Sequence, residues 1–148
     1  MDMAPPGDHT DVQSDGKLAT AISTMVVRVL RKHTGRGPTK SRTSLSDDLI
    51  WVVVEDTLTH AERTLVANGN GELVLRVRRA FQDIMSAELI AGVEALSNRT
   101  VTAFFSDSTL DPDIAIEFFL LAPPAGADGA RRRPGVADAW HTADSRRA

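Results

Sequence analysis

Apolar positions change their period several times along this chain, and each change predicts an element. Leu18, Ala21, Ile22, Met25, Val26, Val29 and Leu30 recur every three or four residues, which sets them on one stripe of a helix. Arg28, Arg31 and Lys32 fall on other faces, the last two near a C-terminus whose dipole favours cations. Gly35 or Gly37 ends this helix, and Pro38 forbids its continuation. Residues 39–46 are polar and rich in Thr and Ser, with the weak pattern of an edge strand. Residues 49–54, L-I-W-V-V-V, are six apolar residues in a row, which predicts a central strand buried on both faces. Ser46, Asp47 and Asp48 supply the turn of a hairpin between these strands.

Thr59 and Glu62 have the spacing of a capping box, and the helix they open stops at the breaker N-G-N-G, residues 68–71. A longer helix over 72–97 follows. Its predicted stripe is Leu73, Val74, Val77, Phe81, Ile84, Met85, Leu89, Val93 and Leu96, with Arg76 and Arg79 off the stripe and Arg78 opposite it. Residues 101–105 and 114–121 read as two further strands, joined by a polar connection over 106–113. The order α-β-β-α-α-β-β predicts an α+β fold, a mainly antiparallel four-stranded sheet with helices packed on one face.

The 148 residues are 42% hydrophobic, enough for one domain, and its expected extent is residues 17–122. Residues 1–16 hold four aspartates and almost nothing apolar, so they are expected to be a disordered acidic tail. Residues 123–148, rich in Pro, Ala and Arg, are expected to be a second disordered tail. With no cysteine, disulfides and thiolate metal sites are excluded. Neither a secretory leader nor an apolar run long enough to span a bilayer is legible, so a cytoplasmic protein without direct membrane insertion is expected.

Charge is sorted along the chain although the formal net charge is only -3. Residues 16–46 contain no acid and seven bases, Lys17, Arg28, Arg31, Lys32, Arg36, Lys40 and Arg42. Residues 47–62 contain no Lys or Arg and five acids, Asp47, Asp48, Glu55, Asp56 and Glu62. The domain itself nets -1, which speaks against a dedicated duplex-DNA binder, and the absence of Tyr leaves few platforms for single strands. The turn G-R-G-P-T-K-S-R, residues 35–42, is the clearest candidate site. Its glycines let the backbone turn sharply with exposed N–H groups, and Arg36, Gly37, Lys40 and Arg42 can form an anion or partner site with Asp47 and Asp48 as acidic counterparts. The competing reading pairs those bases with the following acids, as a solvated loop.

Other motifs fail on inspection. Asp107, Thr109, Asp111 and Asp113 have the spacing that opens a calcium loop, but Pro112 stands where the turn needs glycine and Phe118 where it needs a bidentate glutamate. His9, His33, His60 and His141 offer no pair at metal-ligand spacing. No nucleophile elbow or Walker ending is present, so neither catalysis nor a cofactor is expected. An enzyme would need Asp47, Asp48 and Asp56 to meet the basic turn in a charged cleft.

Four blocks carry a resemblance. T-G-R-G-P-T-K-S-R (34–42), D-D-L-I-W-V-V-V-E-D-T-L-T-x-A-E-R-T-L (47–65), R-R-A-F-Q-D-I-M (78–85) and D-P-D-I-A-I-E-F-F (111–119) resemble the MpsC family. That family is associated with Na+-translocating, membrane-potential-generating systems, some linked to inorganic-carbon supply, and no catalytic residues carry over from it. The resemblance implies a small soluble protein, and together with the missing catalytic set and the basic-then-acidic charge order it leads to the expectation of a non-enzymatic accessory or regulatory protein, a homodimer, with a membrane-system partner. The alternative expectation is an anion- or nucleic-acid-binding module built on the basic turn at residues 35–42.

Overall fold

A computed structural model describes residues 9–126. Its elements are α1 (His9–Thr34), β1 (Lys40–Ser46), β2 (Leu49–Glu55), α2 (His60–Ala67), α3 (Gly71–Ser97), β3 (Val101–Thr109) and β4 (Ile114–Leu121). The fold is α+β in the expected order, and one fully antiparallel sheet runs β1-β2-β4-β3. Residues 1–8 and 127–148 lie outside the described residues, so the expectation of disordered tails is open there. Within the expected N-terminal tail, residues 9–16 belong to α1. Val12 on this extension is 74% exposed, so helix continuity rather than core packing carries it.

One core holds the domain together. From α1 it takes Ile22, Met25, Val26, Val29 and Leu30, as their spacing predicts. From α3 come Met85, Leu89 and Val93, and from the sheet Ile50, Val52, Val54, Ala115, Phe119 and Leu121. Phe104 stacks on Phe119 with ring centroids 4.9 Å apart. The β1–β2 hairpin turns at Asp47, whose φ of 45° suits the short polar side chain of an aspartate. Ser23 on α1 and Thr43 on β1 share a hydroxyl hydrogen bond of 2.6 Å, which ties the helix to the edge strand.

Three expectations need correction. First, β2 is central but not buried on both faces: Ile50, Val52 and Val54 are fully buried, while Leu49, Trp51 and Val53 alternate with them at intermediate exposure. The helices occupy one face, and the large residues on the other side remain open. Second, α3 is longer than the strands beneath it. Its buried positions Val74, Met85, Leu89 and Val93 make a narrow stripe, whereas Leu73, Val77, Ile84 and Leu96 are exposed. Arg78 lies four residues after Val74 and seven before Met85, so it points inward on that stripe instead of opposite it. Third, β3 continues to Thr109, which leaves a shorter connection to β4 than the predicted 106–113.

Helices α1 and α3 approach closely where α3 has no side chain. A Cβ at Gly92 would sit 2.6 Å from Met25 Sδ. Gly92→Ala should therefore destabilise by about 1–3 kcal/mol despite the better helix propensity of alanine. Denaturant unfolding of a double-mutant cycle with Met25→Ala checks this; the pair should be strongly non-additive, and simple additivity would refute the contact as the cause.

Candidate functional site

Where β2 leaves the sheet, the chain enters the most heavily cross-linked part of the molecule. Asp56 adopts a left-handed φ of 56°, uncommon for any residue but glycine. Arg36, from the turn after α1, holds it there. The Arg36 guanidinium donates to the Asp56 carboxylate at 2.8 Å and to the carbonyls of Asp56 and Leu58. Arg63 on α2 donates to the other Asp56 carboxylate oxygen at 2.8 Å. Arg36, by its hydrogen bond, holds the Asp56 carboxyl below its ordinary value.

The next two residues are anchored from the opposite side. Thr57 donates its hydroxyl to Asp113 at 2.7 Å, and the Leu58 amide donates to the same carboxylate at 2.8 Å. The Asp56 amide donates to the Asp113 carbonyl. Arg78 arrives from α3 and donates to Thr57 Oγ1 at 2.6 Å and to both carboxylate oxygens of Glu62, at 3.2 and 3.0 Å. Glu62 also accepts from the Thr59 amide while its own amide donates to the Thr59 hydroxyl, the capping box expected from the spacing. The Arg78 and Glu62 side chains are only 12% and 15% exposed, so the pair is shielded from water and salt.

Beneath this junction is a cavity of about 30 Å³, bounded by Thr34, Arg36, Thr57, Arg78, Gln82 and Glu117 among others. That volume admits a water molecule and little else. Glu117, on β4, is the unusual member. It is 1% exposed, and its Oε2 has no hydrogen-bond partner. Burial pushes its carboxyl up from an ordinary 4.5 to about 7; the neighbouring Ser106 pulls weakly downward, yet the Ser106 hydroxyl also lacks a completed hydrogen bond. Arg36 and Arg78, which line the same cavity, are engaged by Asp56 and Glu62.

The residues singled out from sequence are not gathered in one pocket. Arg36 turns inward to the junction. Gly37 lets the Arg31 side chain pass within van der Waals range, since a Cβ there would lie 3.2 Å from its Nε. Lys40 and Arg42 project from the open face of β1, each 73% exposed, toward Glu55 at 3.7 and 3.4 Å. Asp47 and Asp48 lie at the hairpin tip, where Arg99 donates to the Asp47 carbonyl and the Asp48 carboxylate and to the carbonyl of Ala122. Bases of the turn therefore meet acids of the following segment, the competing reading of the charge pattern. His33 joins Lys32 on Glu88 of α3, and its hydrogen bond holds that exposed carboxyl below its ordinary value.

Sequence reasoning missed Thr57, Arg78, Asp113, Arg99 and Glu117. A signal for Glu117 was present: in I-A-I-E-F-F it shares the period-two face of Ala115 and Phe119. The family described as the Na+-translocating membrane potential-generating system (MpsC) matches residues 14–123, and the chain belongs to that family. Neither a curated protein nor a solved structure matches it. Each of the four blocks carrying the resemblance contributes to the junction: Arg36, then Asp56 with Thr57 and Glu62, then Arg78, then Asp113 with Glu117.

Two measurements follow from this geometry. Between about pH 4.5 and 7 the folded chain holds a proton on Glu117 that the unfolded chain releases, so stability falls as pH rises through that window. The shift corresponds to about 3 kcal/mol, and Glu117→Gln should remove that part of the pH dependence in denaturant unfolding between about pH 5 and about pH 8. Equal pH slopes for wild type and variant would refute it. Asp56 and Glu88 act with the opposite sign, on the acid side, because their depressed values withdraw stability only as pH falls. Separately, Arg78→Met should cost about 3 kcal/mol, since Glu62 is left charged and half-desolvated, whereas adding Glu62→Gln should recover part of that loss. A full loss retained in the double variant would show that the ion pair is not the reason.

Proposed function

We propose that this member of the MpsC family is a non-enzymatic accessory or regulatory protein of a Na+-translocating, membrane-potential-generating system. In this reading it acts by binding a membrane-system partner and does not itself carry the ion. One observation carries the proposal: the junction to which the family blocks converge is committed to internal contacts around a cavity of about 30 Å³. Arg36, Asp56, Glu62, Arg78 and Asp113 each hold another part of the chain, and the space they leave suits a water rather than a substrate. No helix among the described residues is long and apolar enough to cross a membrane.

The alternative of an anion module on the basic turn is weakened by the same contacts. Arg36 is withdrawn to Asp56, and Lys40 and Arg42 share Glu55 on the strand beside them. What remains exposed is a cationic edge suited to docking more than to enclosing an ion.

Membrane vesicles from cells lacking this chain should develop a smaller Na+-dependent potential than wild-type vesicles, and added purified chain should restore it. Arg78→Met, which disrupts the junction, should restore it poorly at temperatures where wild type is effective. An unchanged potential in the deletion vesicles would overturn the proposal, as would turnover of a small substrate by the purified chain alone.

A further inference from the structure

The open face of the sheet has a chemistry that the junction does not explain. Hydrogen-bond register aligns its outward residues in rows across the order β1-β2-β4-β3. One row is Ser46, Leu49, Leu120 and Ala103; the next is Ser44, Trp51, Phe118 and Phe105; the third is Arg42, Val53, Ile116 and Asp107. Phe105 is 64% exposed, and Ile116 and Leu120 are also exposed. Phe105 and Phe118 already sit edge to face, with centroids 6.3 Å apart. An apolar, aromatic sheet face of this kind is normally covered by another layer.

The rows read almost the same from either end. Leucine stands against leucine, aromatic against aromatic, and Val53 against Ile116. The outer positions are small at both ends of the first row and oppositely charged at the two ends of the third, Arg42 and Asp107. In the middle row, small Ser44 is the counterpart of large Phe105. A surface that meets itself about a two-fold axis parallel to the strands needs this relation, because the axis exchanges β1 with β3 and β2 with β4.

We propose that the occupant of this face is a second copy of the chain, two sheets packing face to face about that axis. Arg42 of each copy then faces Asp107 of the other, and Trp51 packs on Phe118 across the interface. Ser44 provides the space that Phe105 fills. Aligned sheet packing accommodates such contacts with a rotation of about 30° between strand directions. Arg42 is available, since its contact with Glu55 is long and exposed, and among the described residues Asp107 engages only the amide of its own neighbour, Ser108. Four strands of this length present a flat footprint of roughly 450 Å² per copy, at the small end for a specific interface, so dilution should dissociate the dimer. This inference is independent of the accessory role, which is read from the vesicle potential and stands or falls separately.

Sedimentation velocity of the full chain over a wide concentration range tests it. Wild type should pass from monomer to dimer with rising concentration, and Phe105→Lys should abolish the transition. Arg42→Asp and Asp107→Arg should each weaken the dimer by about tenfold or more, through like charges brought together. The double exchange, Arg42→Asp with Asp107→Arg, should restore it. All three positions are at the surface, and thermal unfolding confirms that each of the four variants is folded. A wild type that stays monomeric at every concentration overturns the proposal, including the case where it instead binds lipid vesicles or dimerises only after residues 127–148 are removed. Single variants that dimerise as wild type does, or a double exchange that fails to recover, overturn it equally.

Discussion

The three residues after β2 hold the architecture together. At Asp56 the backbone must leave the sheet in a left-handed conformation, a state that costs on the order of 1 kcal/mol for a residue with a Cβ. The cost is offset because Arg36 grips both the carboxylate and the carbonyl, and Asp113 grips the next two residues from the far hairpin. A chain exit fixed in this way leads into α2, which packs against α3. It also brings Glu62 within reach of Arg78, which in turn sets how the first half of α3 is rotated. Parts of the chain that are distant in sequence thus meet at one short segment, and loosening any of them alters the paths of the others.

Such a junction is specific because its polar groups have few acceptable alternatives. An apolar core tolerates sliding, but a buried guanidinium offered the wrong partner loses its hydrogen bonds and keeps its charge. Glu117 shows the same physics with the opposite outcome. It is buried with no ion-pair partner among the described residues. Burial of this carboxyl on β4 pushes it toward its protonated form, so the core gains no charge there.

Much of the fold was legible in the sequence because local patterns there agree with tertiary structure. The α1 stripe, the capping box at Thr59 and Glu62, the breaker before α3 and both hairpins follow directly from residue spacing. Errors arose where one local signal served two masters. Six apolar residues in β2 read as a strand covered twice, yet periodicity reports apolarity and not what lies opposite. Leu73, Val77 and Ile84 widened the apparent stripe of α3 and moved Arg78 to the wrong side, although its spacing from Val74 and Met85 is that of an inward position. The turn at residues 35–42 stood out in the sequence by its charge, and in the fold its Arg36 holds Asp56. A single sequence shows that Arg36 and Asp56 are both charged; only the fold shows that they meet.

Set side by side, the two faces of the sheet divide the work of the charged and apolar residues. On the helical face, the polar groups are paired inward and the apolar ones close the core. On the other, exposed Phe105 and Leu120 and half-buried Trp51 and Phe118 lie between Arg42 at one edge and Asp107 at the other. The charge sorting along the chain follows from this division. Bases before residue 46 and acids after it are what a hairpin needs if β1 is to pair ionically with β2, as Lys40 and Arg42 do with Glu55, and if the turn before β1 is to clamp the exit from β2. What looked from the sequence like one basic site is therefore two structures back to back: Arg36 stabilises the fold from within, and Arg42 marks the rim of a surface that the fold leaves uncovered.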